Sequence, residues 1–202
     1  MSRAVGQIDH AKSEAILDAA MEILAARGLT ASIEEIARQA RVSKQTVYNR
    51  FRSKAGLVEA LVERRVAEIT APLEAPRAAE HPEEALAGFA RMMLDAAATP
   101  RSAAFVRLYV QAATDMPDLA RAYFEAGPRT SRRRLAQFLA EEHRAGRMVV
   151  EDPAMAAEFF AGMVIGSYQT GLMLGVDVGL DAAGVERISA EAARRFMKAY
   201  GA

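Results

Sequence analysis

The sequence predicts an all-α protein, from its composition and from the spacing of its apolar residues. Ala, Leu, Glu, Arg and Met are abundant, and the alternation of apolar and polar residues that is typical of strands is rare. Apolar residues instead recur three or four positions apart, as Ile16, Ala20 and Ile23 do between Lys12 and Arg27. Hydrophobic residues make up 51% of the 202 positions, enough for a core in one large domain or two small ones.

The residue inventory disfavours catalysis and metal binding. There is no Cys, so neither a disulfide framework nor a thiolate metal site can form. The three His are far apart, no two His share a helical turn, and no Gly-rich phosphate loop is present. We therefore expect no enzyme, no cofactor and no bound metal. Residues 1–10 lack the apolar core of a signal peptide, so we expect a cytoplasmic protein.

Two short helices joined by a tight corner are predicted between residues 32 and 51. Ser32 and Glu35 have the spacing of a capping box, which starts a helix at Ile33. Arg41 and Val42 then form the corner. So short a connection between two helices indicates a helix-turn-helix, whose second helix enters the DNA major groove.

The second of these helices has one apolar face and one face of hydrogen-bond donors. Ser43 is a good N-cap, and Val47 and Phe51, four positions apart, can anchor the helix inward. The outward side chains can all donate a hydrogen bond, and none is acidic: Lys44, Gln45, Thr46, Tyr48 and Asn49. Such a face suits a groove lined with phosphates and base edges.

Positive charge is concentrated around this helix. The whole chain is balanced, with 26 Lys and Arg against 26 Asp and Glu. Between residues 38 and 54 there is no acid, and the basic residues are Arg38, Arg41, Lys44, Arg50, Arg52 and Lys54. A local excess of this kind is what a DNA-docking face requires.

The run from Ala15 to Leu57, about a quarter of the chain, resembles the DNA-binding domain of the tetracycline-repressor-like (TetR) transcriptional regulators. Many positions agree in register at once. They are Ile16-Leu17-Asp18-Ala19-Ala20, Arg27-Gly28, Ile36-Ala37, Val42-Ser43, Thr46-Val47-Tyr48, Phe51 and Ser53-Lys54. The sequence departs from the family at Arg41, where glycine is usual because the backbone tends toward positive φ.

The resemblance implies how individual residues meet DNA. Lys44 and Gln45, at the start of the second helix, are expected to reach base edges and set sequence preference. Thr46, Tyr48 and Lys54 match family positions that hold phosphates. The predicted DNA-binding residues are Ser43, Lys44, Gln45, Thr46, Tyr48, Asn49 and Lys54.

The chain is expected to divide into two domains. A helix-turn-helix domain covers residues 1–58, with a flexible arm at 1–9 from which Arg3 could reach DNA. A larger helical domain for ligand binding and dimerisation covers residues 59–202. The boundary lies near Glu59, inside a helix that begins at Lys54. A loop is expected from Pro72 to Pro82, and Gly127-Pro128 is expected to break or kink a helix.

The most apolar segment, Ala154 to Leu174, is predicted to be one helix. Its polar residues and glycines argue against a membrane span. Glycines four positions apart allow close helix approach, and the resemblance implies a four-helix interface between two subunits. The open alternative is packing within one chain. The predicted interface residues are Gly162, Gly166, Ile188, Ala192 and Phe196.

Aromatic and methionine side chains in the middle of the chain could line a ligand pocket, with amides to orient the ligand. Taken singly, each is as compatible with an ordinary core. The resemblance implies that this region binds a small effector that alters DNA affinity. The candidate residues are Phe89, Met93, Phe105, Tyr109, Gln111, Phe124, Phe159 and Met163.

These observations predict a sequence-specific DNA-binding transcriptional regulator, a repressor released from its operator by a small, largely apolar effector. Its expected partners are double-stranded operator DNA, a second copy of itself and an effector of unknown identity, with no membrane. The alternative is an effector-independent architectural DNA-binding protein, whose C-terminal domain serves only assembly.

Overall fold

The structure is a computed structural model that describes the backbone from Ser2 to Ala202 and the side chains from His10 onward. Among these residues the only strand-like pairing is one isolated bridge between Met148 and Gly201, so the all-α prediction is confirmed. The helices are α1 Ser2–Arg27, α2 Ile33–Gln39, α3 Lys44–Phe51, α4 Lys54–Thr70, α5 Pro82–Ala97, α6 Pro100–Ala112, α7 Pro117–Phe124, α8 Thr130–Arg144, α9 Pro153–Ile165, α10 Tyr168–Met173 and α11 Ala182–Tyr200.

Two compact units divide the chain. The first contains Met1–Arg64 and Arg107–Gly127, and the second contains Arg65–Val106 and Pro128–Ala202. The first unit therefore adds the end of α6 and all of α7 to the helices around the helix-turn-helix. We call residues 107–127 the α6–α7 segment. The functional division at residues 58 and 59 stays a prediction.

Helices α1 to α4 supply the core of the first unit. Ile16 on α1 and Leu57 on α4 are fully buried, as the helical spacing of apolar residues requires. An ion-pair cluster joins the same two helices. Nη1 of Arg64 donates to Oδ1 of Asp18 at 2.8 Å and to Oε2 of Glu14 at 3.0 Å. Burial of Leu57 near its start and the ion pairs of Arg64 further along thus hold α4 in the first unit.

The α6–α7 segment packs closely on the other helices of the first unit because glycines stand at the contacts. A Cβ atom placed on Gly28 would lie 3.3 Å from Cδ2 of Leu108, and one on Gly127 would lie 3.0 Å from Cγ1 of Val62. Gly28 also has a φ of 66°, so it ends α1 in the left-handed conformation that glycine adopts readily. A Cβ at either position would require the Leu108 or Val62 side chain to shift by a few tenths of an ångström.

The second unit has an aromatic centre built from α5, α9 and α11. The rings of Phe89 and Phe160 stack with their centroids 6.1 Å apart. Phe196 meets Phe160 edge-on at 5.1 Å. All three side chains are fully buried, and aromatic contacts of this geometry add to the free energy of area burial. This centre fixes which faces of α9 and α11 point inward.

The predicted single helix from Ala154 to Leu174 is wrong. Helix α9 ends at Ile165, and α10 begins at Tyr168. Between them Gly166 has φ 48° and ψ −130°, a conformation that is open only to glycine. Apolar composition carries no information about this break, because both pieces are apolar. No helix among the described residues has the length and apolarity needed to cross a membrane.

Other boundaries follow the sequence more closely. A π-helical turn at Glu125–Arg129 contains Pro128 and joins α7 to α8 without a gap, so the regular α-helix is interrupted where the sequence predicts a break or kink. The predicted loop after α4 is wrong at its start, where Ala71–Glu74 forms a 3₁₀ turn that continues the helix. Helix α1 begins at Ser2, before the predicted start at Lys12. The predicted arm at residues 1–9 lies outside the described side chains, so the role of Arg3 stays a prediction.

Candidate nucleic-acid interface

The corner before α3 has the geometry that the sequence predicts. The Glu35 amide donates to Oγ of Ser32 at 3.2 Å, and the Ser32 amide donates to Oε2 of Glu35 at 2.8 Å, which completes the capping box. Arg41 then takes a φ of 55°. A non-glycine residue in this region costs about 1 kcal/mol, and the exposed Arg41 side chain adds positive charge beside α3.

Helix α3 is capped and anchored as predicted. The Thr46 amide donates to Oγ of Ser43 at 3.0 Å, and the two hydroxyl oxygens lie 2.8 Å apart. Val47 is buried and Phe51 is half-buried, so both point into the first unit. Because the hydroxyls of Ser43 and Thr46 already bond to each other, their first role is to hold the start of the helix.

The exposed surface of α3 consists of Lys44, Gln45, Tyr48 and Asn49, which we call the reading face. Nε2 of Gln45 donates to Oδ1 of Asn49 at 2.7 Å, one helical turn away. The Lys44 ammonium lies 5.7 Å from the centre of the Tyr48 ring, within the range of a cation–π contact. The reading face is therefore an ordered array of side chains.

Glu34 is a residue of this surface that the sequence analysis missed. It lies in the first turn of α2, and its Oε1 accepts a hydrogen bond from the Lys44 ammonium. This contact lowers the pKa of Glu34 and raises the pKa of Lys44. Ten positions separate the two residues, so neither helical spacing nor local composition could have predicted the pair.

Lys54 has a different position from the one predicted for a phosphate contact. Its Nζ donates to the carbonyl oxygen of Ala31 at 2.6 Å and to that of Leu29. The ammonium is half-buried, and this burial lowers its pKa. In this conformation two of the three Lys54 donors tie the start of α4 to the turn before α2, and the predicted phosphate contact stays a prediction.

The predicted effector residues are divided between the two compact units. Phe89 and Met93 are buried in the core of the second unit. On α9 the neighbour Phe160 faces Phe89, whereas Phe159 is 57% exposed, because consecutive helical residues point about 100° apart. Met163 is exposed on the same side as Phe159, and Phe105 is half-buried.

The remaining three candidates belong to the α6–α7 segment of the first unit. Tyr109 is buried, and its ring stacks on that of Tyr123 with centroids 4.4 Å apart. Burial raises the pKa of both phenols. Gln111 and Phe124 are exposed. Among the described residues no group of three or more His, Asp and Glu side chains could hold a metal.

The predicted dimer residues divide between core and surface. Phe196 is buried in the aromatic centre, and Ala192 is buried at the floor of a shallow groove, so their place in the interface stays a prediction. Gly162 and Gly166 are exposed, and a Cβ atom on either would meet nothing within 4 Å. Ile188 is half-buried and lines a shallow groove. The other described lining residues are Glu83, Met163, Arg187, Ala190, Glu191, Ala192, Arg194 and Arg195.

Comparison with known proteins gives matches to both parts of the chain. Residues 16–61 match the family described as bacterial regulatory proteins, tetR family. Residues 84–202 match the family described as AefR-like transcriptional repressor, C-terminal domain. The uncharacterized HTH-type transcriptional regulator YvkB of Bacillus subtilis (strain 168) is 50% identical over 48 residues, which are 23% of this chain and 25% of that protein.

Solved structures extend the similarity to nearly the whole chain. A regulator from Mesorhizobium loti MAFF303099 assigned to the TetR family is 26% identical, with a TM-score of 0.76 over 96% of this chain and 98% of that one. The Flavonoid-responsive Regulator FrrA is 32% identical, with a TM-score of 0.69 over 95% and 98%. The family models match more than half of the chain, its helix-turn-helix is capped as described above, and FrrA is 32% identical over nearly the whole chain. The chain therefore belongs to the TetR family of transcriptional regulators.

Proposed function

We propose that the protein binds operator DNA as a homodimer and represses transcription until a small, largely apolar effector releases it. The observation that carries the proposal is the reading face. Its four side chains are exposed on a helix whose opposite side is anchored by buried Val47. Amide, ammonium and phenol groups in such an array can donate to base edges and phosphates in the major groove.

The DNA-binding part is tested by enriching duplexes from a random-sequence pool with the wild-type protein. We expect one preferred operator with two related half-sites. Gln45→Ala should change the preferred bases within each half-site and leave the affinity for unrelated DNA nearly unchanged. Gln137→Ala, which removes an exposed glutamine of α8, is the matched control. Enrichment of no sequence by the wild-type protein would contradict the proposal.

The homodimer rests on an exposed apolar face of α9. Met155, Phe159 and Met163 are 52%, 57% and 44% exposed, and Gly162 and Gly166 lie between or beside them on the same side of the helix. A contiguous apolar stripe with small residues is typical of a surface that pairs with another helix. A second copy of this chain is the occupant that family membership favours. Two copies can then present two α3 helices to successive major grooves, about 34–36 Å apart.

Replacement of one exposed phenylalanine tests this interface. We expect Phe159→Glu to produce monomers in sedimentation at micromolar concentration, because a carboxylate would be buried against the partner without a counter-charge. Because the dimer is lost, the affinity of the variant for the operator should fall as well. The matched control is Val110→Glu, since Val110 is 63% exposed and lies in the other compact unit. A wild-type protein that sediments as a folded monomer would exclude the homodimer.

An effector is supported by one relative and by one structural feature. FrrA, described as flavonoid-responsive, is 32% identical to this chain. The α6–α7 segment holds Tyr109, Tyr123 and the exposed Phe124, and it packs on α1 and α4 of the same compact unit. We propose that a planar apolar effector displaces this segment. The displacement would pass through Gly28 and Gly127 to the helices that carry α3.

A melting screen separates this regulator from the architectural alternative. A ligand that binds the folded state raises its stability by mass action, by about 2.7 kcal/mol at one hundred times its Kd. We would screen a panel of flavonoids and other planar apolar compounds. Stabilisation by a compound that also releases the enriched operator supports the effector. An operator complex that no compound in the panel dissociates favours the architectural protein.

A further inference from the structure

Two adjacent acids in the first turn of α2 have different partners. Glu35 completes the capping box with Ser32 and pairs with Arg27. Glu34 takes no part in the capping box, and its carboxylate instead crosses to the first residue of α3, where it binds the Lys44 ammonium. The side chain of Glu34 is 54% exposed and that of Lys44 is 51% exposed, so the pair lies on the outer surface beside the reading face.

An acid at this place requires an explanation, because it opposes the field that attracts DNA. Every phosphate that approaches α3 is repelled by the carboxylate of Glu34. At the start of α2 the carboxylate also accepts from its own backbone amide, but Ser32 and Glu35 already complete the capping box, so this contact does not explain why the carboxylate reaches across to Lys44. The carboxylate also removes most of the net charge of Lys44, the basic residue at the start of the reading helix.

The pair limits where the Lys44 ammonium can go. A lysine side chain is long and flexible, and free in solution it reaches phosphates over a wide arc. Here the ammonium is held by Glu34 on one side and lies 5.7 Å from the centre of the Tyr48 ring. An ammonium has three N–H donors, so the contact with Glu34 leaves two for the groove.

We propose that Glu34 is a positioning residue for sequence recognition: its carboxylate holds the Lys44 ammonium beside Tyr48, so that Lys44 donates to a base edge and not to phosphates. This inference rests on the proposed operator binding and deepens it. The Glu34–Lys44 pair persists in the operator complex, where the carboxylate orients Lys44 and weakens the binding of unrelated DNA.

Affinity measurements on matched variants test this role. Glu34→Gln keeps the shape of the side chain and removes its charge, and Lys44→Ala removes the group that it orients. Glu63→Gln, at an exposed acid of α4 in the same unit, is the control for net charge. Each protein is titrated, at several salt concentrations, with the duplex enriched by the wild type and with a scrambled duplex of equal length. Every single base-pair substitution of the enriched duplex is also measured.

We expect Glu34→Gln to bind the scrambled duplex more tightly, with a salt slope steeper by up to about 0.9 for each subunit, because Lys44 becomes free to contact a phosphate. The ratio of specific to nonspecific affinity should fall roughly two- to fivefold, the range that one exposed ion pair is worth. The base pair at which discrimination relaxes should be the same as in Lys44→Ala. Glu63→Gln should leave the ratio and the base-pair profile unchanged.

Other results would overturn the inference. If Glu34→Gln binds both duplexes more tightly by the same factor, Glu34 only repels DNA in general. If Glu34→Gln raises the ratio of specific to nonspecific affinity, the carboxylate competes with the operator for Lys44. If Glu34→Gln loses discrimination at a base pair other than the one affected in Lys44→Ala, Glu34 does not position Lys44. Thermal melting of each variant verifies folding. If the wild type enriches no duplex, the proposed operator binding fails first and the inference falls with it.

Discussion

At Lys54 the ammonium donates to the carbonyls of Leu29 and Ala31, at the turn that precedes α2. Hydrogen bonds to a charged group are worth about 1.5–3 kcal/mol each when buried, and the half-burial of Lys54 reduces this. We therefore expect Lys54→Ala to lower the free energy of unfolding by about 1–2 kcal/mol. The salt slope of DNA binding should not change, because no phosphate contact is removed.

Denaturant unfolding and DNA titration at several salt concentrations check both parts of this expectation. Lys12→Ala, at an exposed lysine of α1, is the matched control for charge. A fall of about one unit in the salt slope, without loss of stability, would restore the phosphate contact that the family resemblance implies for Lys54.

Glu191 on α11 makes a pH-dependent contribution to stability. Its carboxylate accepts from Nη2 of Arg194 and Nε of Arg195, both at 2.6 Å, and these guanidinium groups lower its pKa from 4.5 to about 2. Because the pKa is lower in the folded protein than in the unfolded chain, the contribution is complete above about pH 4.5 and is lost as the pH falls toward 2.

We expect Glu191→Gln to melt at a slightly lower temperature than the wild type at pH 7, with the difference closing as the pH falls through this range. The effect should be small, since the cluster is solvated. Melting curves between pH 2 and 7, with Glu151→Gln as the control at an exposed acid, measure it. A difference that widens on acidification would contradict the assignment.

At the scale of elements, Gly162 and Gly166 look alike in sequence and differ in conformation. Gly162 lies inside α9 with open space where a Cβ would stand, whereas Gly166 ends the helix with a φ of 48° and a ψ of −130°. Any substitution at Gly166 strains the backbone, by about 1–3 kcal/mol. The effect of a charged residue at Gly166 on dimerisation could therefore not be told apart from its effect on folding. Gly162 is the position at which a substitution tests the interface alone.

The two alanine variants should have opposite effects on the stability of a single subunit. We expect Gly166→Ala to lower it by about 1–3 kcal/mol. Gly162→Ala should raise it by about 0.5–1 kcal/mol, because alanine favours the helix. If α9 pairs closely with its copy, Gly162→Ala should also weaken the dimer, which sedimentation at graded concentrations would show. A gain in stability with no change in dimer affinity would place the contact elsewhere.

Local sequence signals predicted the elements whose ends are fixed by caps. Ser32 and Ser43 each accept from a backbone amide at the start of α2 and α3, as their residue types and positions indicate. The break at Gly166 has no such signal, since a glycine inside an apolar run is equally compatible with close helix packing.

Contacts between residues distant in sequence could not be predicted either, because local sequence signals do not say how the helices pack on one another. The Glu34–Lys44 pair depends on how α2 and α3 cross, and the hydrogen bonds of Lys54 depend on where α4 begins relative to Leu29. Within α9, composition could not tell inward Phe160 from outward Phe159, because two adjacent phenylalanines serve either face equally well. Tertiary packing decides each of these cases.

At the scale of the whole molecule, the set of helices that form the first unit bears on regulation. The α6–α7 segment follows α4 by some distance along the chain, yet it belongs to the same compact unit as the reading face. Its contacts beside α1 and on α4 are made where Gly28 and Gly127 let the chain approach closely, against the side chains of Leu108 and Val62. A ligand that moves this segment acts directly on the packing of the DNA-binding helices.

Thermodynamic linkage makes this mechanism testable in both directions. If a flavonoid found in the melting screen lowers operator affinity, the enriched operator must lower the affinity for that flavonoid by the same factor, typically about 5- to 150-fold. Calorimetric titration of the flavonoid into free protein and into the operator complex measures the factor. The scrambled duplex, at a concentration that leaves the protein unbound, should cause no change. Equal affinities in the free and operator-bound states would mean that the ligand does not control DNA binding, because a ligand with no preference between two states cannot shift their equilibrium.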